Sequence, residues 1–125
     1  MKHNVVGWFE IPVIDMDRAA RFYETVLKYK LERHTLGDLE MAWFPMIEGD
    51  GCPGSLVKNK DYMPSGNGTV IYFTSPSGDL SNEISRVQKA GGKILQEKTK
   101  ITDEIGYMGL FLDTEGNRIA IHSRE

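Results

Sequence analysis

The order of secondary-structure signals predicts an α+β fold of two βαβββ modules. They form a single domain over residues 1–125, with module one at about 5–58 and module two at about 69–123. Two observations carry this. A strand, a helix and three strands occur in that order twice, and a shift of about 62 positions lays residues 8–13 over 70–75 and brings 49–54 near 113–117. A helix followed by several strands in each half calls for mixed sheets, not a doubly wound parallel sheet, and no G-x-G-x-x-G or phosphate-loop pattern points to one.

Each element has its own signal. Residues 5–13 alternate, with Phe9, Ile11 and Val13 on one face and Val6, Trp8 and Glu10 on the other, which predicts a strand. Asp15 stands where a helix N-cap belongs, and Asp17 adds negative charge to the first turn. Ala19, Phe22, Tyr23, Val26 and Leu27 then recur at helical spacing over 17–27. Lys28-Tyr29-Lys30 closes that helix with positive charge. Residues 31–36 and 39–47 read as strands joined by the Gly37-Asp38 turn, and Pro45 marks an edge or a bulge near the end of the second. Residues 49–54 form a Gly/Pro loop, 55–58 a short strand and 59–68 a polar connector.

The pattern then restarts. Residues 69–74 read as a strand, and Asp79 caps a helix reaching about Ala90, with Leu80, Ile84 and Val87 as its apolar stripe. Gly91-Gly92 ends it as a C-terminal glycine cap does. Residues 93–97 read as a strand, 98–104 as a polar connection, 107–112 as a strand, 113–117 as a turn and 118–123 as the last strand.

Composition narrows the function classes. Apolar residues make up 40% and charged residues 26%, enough apolar material for one core and too much for a disordered chain. Fifteen basic against eighteen acidic residues give a net charge of −3, which argues against a nucleic-acid partner. No run of about 18 apolar residues exists, so no membrane span is expected. The single cysteine, Cys52, excludes an intrachain disulfide and a CxxC metal site. With no signal-peptide core at the N-terminus, a reducing cytoplasm is the expected location.

Two stretches carry a family resemblance. Gly7-Trp8-Phe9-Glu10-Ile11-Pro12-Val13-Ile14-Asp15-Met16-Asp17-Arg18-Ala19-Ala20-Arg21-Phe22-Tyr23 resembles the opening of the vicinal oxygen chelate superfamily. That superfamily holds glyoxalase I, bleomycin-resistance proteins, extradiol dioxygenases and fosfomycin-resistance enzymes. Gly106-Tyr107-Met108-Gly109-Leu110-Phe111-Leu112-Asp113-Thr114-Glu115-Gly116-Asn117-Arg118-Ile119 is similar to its closing strand–turn–strand. The resemblance implies sheets curled around a cleft and a homodimer whose clefts arise from module pairing. In metal-dependent members it also implies a divalent ion held by His, Glu or Gln from the first and last strand of each module.

The four implied ligand slots fall here on Trp8, on one of Ser55, Leu56, Val57 or Lys58, on Thr69 or Val70, and on Ala120. None carries His, Glu or Gln, which argues against glyoxalase I activity, so no cofactor is expected at the usual site. Glu10 and His122 each lie two residues beyond an empty slot and share its strand face by period. They are the catalytic candidates, for acid–base work or for a divalent metal at a displaced site. Trp8, Trp43, Tyr72 and Tyr107 are the candidates to line an apolar pocket with polar tips.

Other chemistry-bearing residues read as structural. Cys52 is flanked by Gly51 and Pro53, with Asp50 beyond, which disfavours a reactive thiolate. His3 and His34 read as surface residues. Asp113, Glu115 and Asn117 lack the spacing of a calcium loop and read as turn chemistry. Three functions follow. The first is metal-free binding of a small hydrophobic or aromatic molecule, as in the bleomycin-resistance branch. The second is a lyase, isomerase or dioxygenase using Glu10 and His122. The third is an interaction module whose cleft is filled by its own side chains.

Overall fold

The computed structural model describes residues 4–125, so His3 lies outside the described residues. Module one runs β1 (Phe9–Pro12), α1 (Met16–Leu27), β2 (Glu32–Leu36), β3 (Leu39–Trp43) and β4 (Gly54–Lys58). Module two runs β5 (Ile71–Thr74), α2 (Leu80–Val87), β6 (Lys93–Thr102), β7 (Gly106–Leu112) and β8 (Arg118–Ser123). The strands form two four-stranded mixed sheets, ordered β1-β4-β3-β2 and β5-β8-β7-β6. The first strand of each module lies parallel to its last, and the other neighbours are antiparallel. The predicted α+β architecture of two βαβββ modules is therefore the observed one.

The repeat reaches the hydrogen bonds. Glu10 pairs with Ser55 where Tyr72 pairs with Ala120. Val13 N–H donates to Val57 O at 2.9 Å where Ser75 N–H donates to His122 O at 2.8 Å. Both helices start at an aspartate. Asp15 accepts from Arg18 N–H, and Asp79 accepts from Ser81 N–H, which satisfies backbone donors that no helical carbonyl can reach. At the other end of α1, Lys28 takes the left-handed conformation (φ 59°) and donates its N–H to Glu24 O.

Several elements differ from their sequence reading; α2 ends at Val87, short of Ala90, and β5 begins at Ile71, not at residue 69. β1 begins only at Phe9, because β4 supplies its first partner at Gly54. β3 stops at Trp43, short of Pro45, whose missing N–H cannot continue a ladder. The largest difference lies at residues 98–104, read as a connection. β6 runs on through Lys98 to Thr102, with register irregularities after Ile94, Gln96 and Lys100. This edge strand is held by its backbone ladder to β7, so it needs no apolar face to persist.

α1 covers the first sheet, α2 covers the second, and the helices pack on each other. The helix-facing side chains of both modules thus merge into one core, from Ile11, Val13, Phe22 and Leu56 to Ile84, Phe111 and Ile121. Phe22 of α1 meets Phe111 of β7 with ring centroids 5.8 Å apart and Tyr23 at 5.0 Å. Polar groups add cross-links. Tyr23 Oη donates to Asp113 at 2.6 Å, Asn117 Nδ2 donates to Pro12 O at 2.8 Å, and Arg86 donates twice to Val26 O. No strand of one sheet runs beside a strand of the other among the described residues. No helix among them is long and apolar enough to cross a membrane.

Candidate functional site

Each sheet has a second face, turned away from its helix. Strand parity puts Trp8, Glu10 and Pro12 of the β1 segment there, with Ser55 and Val57 of β4, Met41 and Trp43 of β3, and His34 of β2. This face is well covered. Met41 and Val57 are only 4% and 0% exposed although neither belongs to the main core. Trp8 stands edge-on to Trp43 with centroids 5.7 Å apart, and His34 stacks on Trp43 at 3.8 Å. His34 Nε2 also lies 2.8 Å from Glu32 Oε1, close enough for an ion pair but not aligned as a hydrogen bond.

Two polar atoms under these rings stand out. Ser55 Oγ and Trp43 Nε1 are buried and have no hydrogen-bond partner among the described residues. Trp43 and Ser55 are opposed across β3 and β4, and Ser55 is the register partner of Glu10. One row across three strands therefore reads carboxylate, hydroxyl, indole. A buried donor without a partner costs free energy, so two on opposed residues of an aromatic-walled face have the chemistry of a ligand seat.

The far face of the second sheet carries Tyr72 and Thr74, Ala120 and His122, and Met108 and Leu110. Tyr72 is exposed, Ala120 is fully buried, and His122 Nε2 lies 2.6 Å from Ile105 O. A groove of about 600 Å³ runs along the free edge of β5, lined by Phe9, Phe44, Cys52, Tyr72 and Phe73 among others.

The sequence candidates are thus divided. Trp8, Trp43 and Glu10 share the far face of the first sheet. Tyr72 and His122 share the far face of the second. No strand contact brings the two faces together within one chain, so Glu10 and His122 do not meet there. Tyr107 points the other way, to the helix side, where it packs against the core with Lys98 Nζ 4.6 Å from its ring centroid. Cys52 is half-buried at the groove.

Two residues of the face escaped the sequence reading. The sequence offers Ser55 only as one of four options for an empty ligand slot, and reads His34 as a surface residue. The Gly37-Asp38 turn held the clue to His34. A two-residue hairpin sets Leu36 against Leu39 and so His34 against Met41, on the Trp43 face.

The register also resolves the open ligand slots. Ser55 occupies in β4 the place that Ala120 occupies in β8, and Val70 precedes Tyr72 as Trp8 precedes Glu10. The four slots are Trp8, Ser55, Val70 and Ala120. An indole, a hydroxyl and two aliphatic groups do not fit a divalent cation. No group of three or more His, Cys, Asp or Glu side chains able to hold a metal occurs among the described residues.

Comparison with known proteins agrees with this architecture. Residues 5–121 match the model of the Glyoxalase/Bleomycin resistance protein/Dioxygenase superfamily. A glyoxylase-like domain-containing protein of Didymella fabae is 30% identical over 98% of this chain and 95% of its own length. MhqE of Bacillus subtilis (strain 168), assigned provisionally as a ring-cleaving dioxygenase, is 34% identical over 95% of this chain, which spans only 40% of that relative. Among solved structures, a glyoxylase/bleomycin resistance protein/dioxygenase domain from Frankia sp. EAN1pec superposes with a TM-score of 0.74 at 18% identity, covering 98% of each chain. A glyoxalase I mutant from Zea mays gives 0.73 at 21% identity, over 94% of this chain and 46% of that one. At these identities the two structures share the fold alone.

Proposed function

The chain belongs to the Glyoxalase/Bleomycin resistance protein/Dioxygenase superfamily, and on that premise we propose that it binds a small aromatic or hydrophobic molecule without a protein-held metal. The binding cleft forms when two copies pair, the far face of the first sheet in one copy meeting that of the second sheet in the other. The observation that carries this reading is the separation of the two far faces within one chain. Each is lined by aromatic and apolar side chains, and each ends at a strand, β1 or β5, with one edge unpaired. A second copy would cover both edges and join both faces. The single cysteine suits a reducing cytoplasm as the place of action.

Sedimentation and a thermal-shift screen test this together. The expected result is a dimer whose melting temperature rises with at least one neutral aromatic compound, since a ligand that binds only the folded state stabilises it. A monomer that shows no shift across the screen would overturn the reading.

The ring-cleaving designation of MhqE favours a second reading, an enzyme that uses Glu10 of one copy and His122 of the other. It predicts that protein incubated with Mn, Fe, Ni, Co and Zn salts and then desalted retains a stoichiometric ion. That ion should be lost in Glu10→Gln. A wild-type protein that emerges without metal leaves the binding reading in place.

A further inference from the structure

We propose that Ser55 and Trp43 are the polar seat of this binding face, donating from the hydroxyl and the indole N–H to one oxygen of a flat, uncharged ring that lies against Trp8. The inference rests on the binding reading above and adds its ligand class and its anchoring atoms.

The argument starts from the fourfold mismatch with a metal site. Ser55 stands at a position where metal-dependent relatives would carry a ligand, and its hydroxyl is fully buried without a partner. A buried hydroxyl can rotate to donate or accept, so its lack of a partner is a matter of geometry. The opposed Trp43 has the same defect at Nε1, which can only donate. Two unpartnered donors on opposed residues can share one acceptor, and an oxygen on a ring would satisfy both.

The rest of the face selects among such ligands. Trp8 and Trp43 offer indole surface set at 79° to each other, suited to a planar hydrocarbon body. Glu10 flanks Ser55 on the other side, roughly one strand spacing away (about 4.8 Å), and can accept a hydrogen bond from a hydroxyl-bearing ligand. Its charge, with that of Glu32 beyond Trp43, repels carboxylates and phosphates. A neutral phenol-like ring therefore fits better than an anion or a bare hydrocarbon.

Both tryptophans of the chain sit on this face, so intrinsic fluorescence reads it directly. The probes are p-cresol and toluene, which differ by one hydroxyl group. Wild-type emission should respond to p-cresol at lower concentration than to toluene. Ser55→Ala should weaken p-cresol about three- to tenfold, the worth of one hydrogen bond, and leave toluene unchanged. The same variant should raise the melting temperature of the ligand-free protein by about 2–5 °C, because it removes a buried group with no partner.

Trp43→Phe, read through Trp8, gives an independent second loss of p-cresol preference. Equal affinities of wild type and Ser55→Ala for p-cresol, or a wild type that binds toluene as well as p-cresol, would overturn the seat while the binding reading stands. A lower melting temperature in Ser55→Ala would show that the hydroxyl already has a partner in the protein, and would also overturn it. A wild type whose emission responds to neither probe would instead remove the aromatic-binding reading beneath it.

Discussion

Phe22→Ala should cost about 3–5 kcal/mol of stability, the usual range for deleting a buried aromatic ring. Phe22 is 1% exposed and lies at the junction of the modules. Its ring rests on Tyr23 and Phe111, and a Cβ placed on Gly92 would come within 2.6 Å of it. The space left by the ring is walled by elements of both halves, so the structure cannot close over it by shifting one side chain. Against a typical total of about 5–15 kcal/mol, such a loss leaves a marginal protein. Urea titration at one fixed protein concentration should show a lower midpoint with an unchanged slope, and heating should show a fall of roughly 10–20 °C. A loss below about 1 kcal/mol would mean that the modules do not meet through this ring.

The second large effect belongs to Glu115. Its side chain is fully buried, and its carboxylate accepts from Ile14 N–H and Asp15 N–H at 2.8 Å each, beside Arg18 Nε, also at 2.8 Å. Burial resists its ionisation. The bonds from Arg18, Asp15, Ile14 and Thr114 outweigh that resistance and hold its pKa down at about 2, from an ordinary 4.5. A depressed carboxylate contributes stability that is fully present above the unfolded value and is lost as pH falls through the folded one. The loss should therefore run from about pH 4.5 down to about pH 2. Asp79, held at about 2 by Ser81 and Lys98, loses its contribution over a neighbouring range.

Glu115→Gln separates the two carboxylates. It keeps the shape but forfeits the charge, and should cost about 2 kcal/mol at neutral pH, within the range for hydrogen bonds to charged groups. The wild-type advantage over the variant should shrink as acid is added and nearly vanish near pH 2. A difference that stays constant with pH would mean that the charge of Glu115 contributes nothing to the folded state.

The fold was legible because each module repeats strong local signals. The aspartate caps, the Phe22–Tyr23–Val26 stripe and the Gly37-Asp38 turn each act within a few residues, so spacing alone exposes them. The second half of β6 leaves no signal in the sequence because Lys98, Thr99 and Lys100 carry no apolar alternation. An edge strand can take such residues, since its register comes from the neighbouring backbone. The far faces were partly legible. Parity placed Trp8 opposite Ile11, but it could not show that Trp43 and Ser55 would be opposed, because that register depends on where β3 ends and β4 begins. Nor could parity separate Glu10 from His122. Their separation follows from helix-on-helix packing of the modules, a tertiary choice with no local signature. The role of Glu115 was hidden for the same reason, since the turn that holds it looks self-contained and its partners lie about a hundred positions earlier.

The bonds from Ile14 and Asp15 to Glu115 also set an order in time. The start of α1 takes its strongest support from a turn near the end of the chain, while the start of α2 draws on Ser123 and Ser75 of its own module. The dependence runs one way. A shift of about 62 positions puts Pro53 of module one where module two has Glu115, and a proline has no carboxylate to return the favour. A ribosome adding about 5–20 residues per second releases the first module several seconds before Glu115 is made. The first half must then wait, half-supported, for the second, and a newly made chain is most open to chaperones or proteases in that interval.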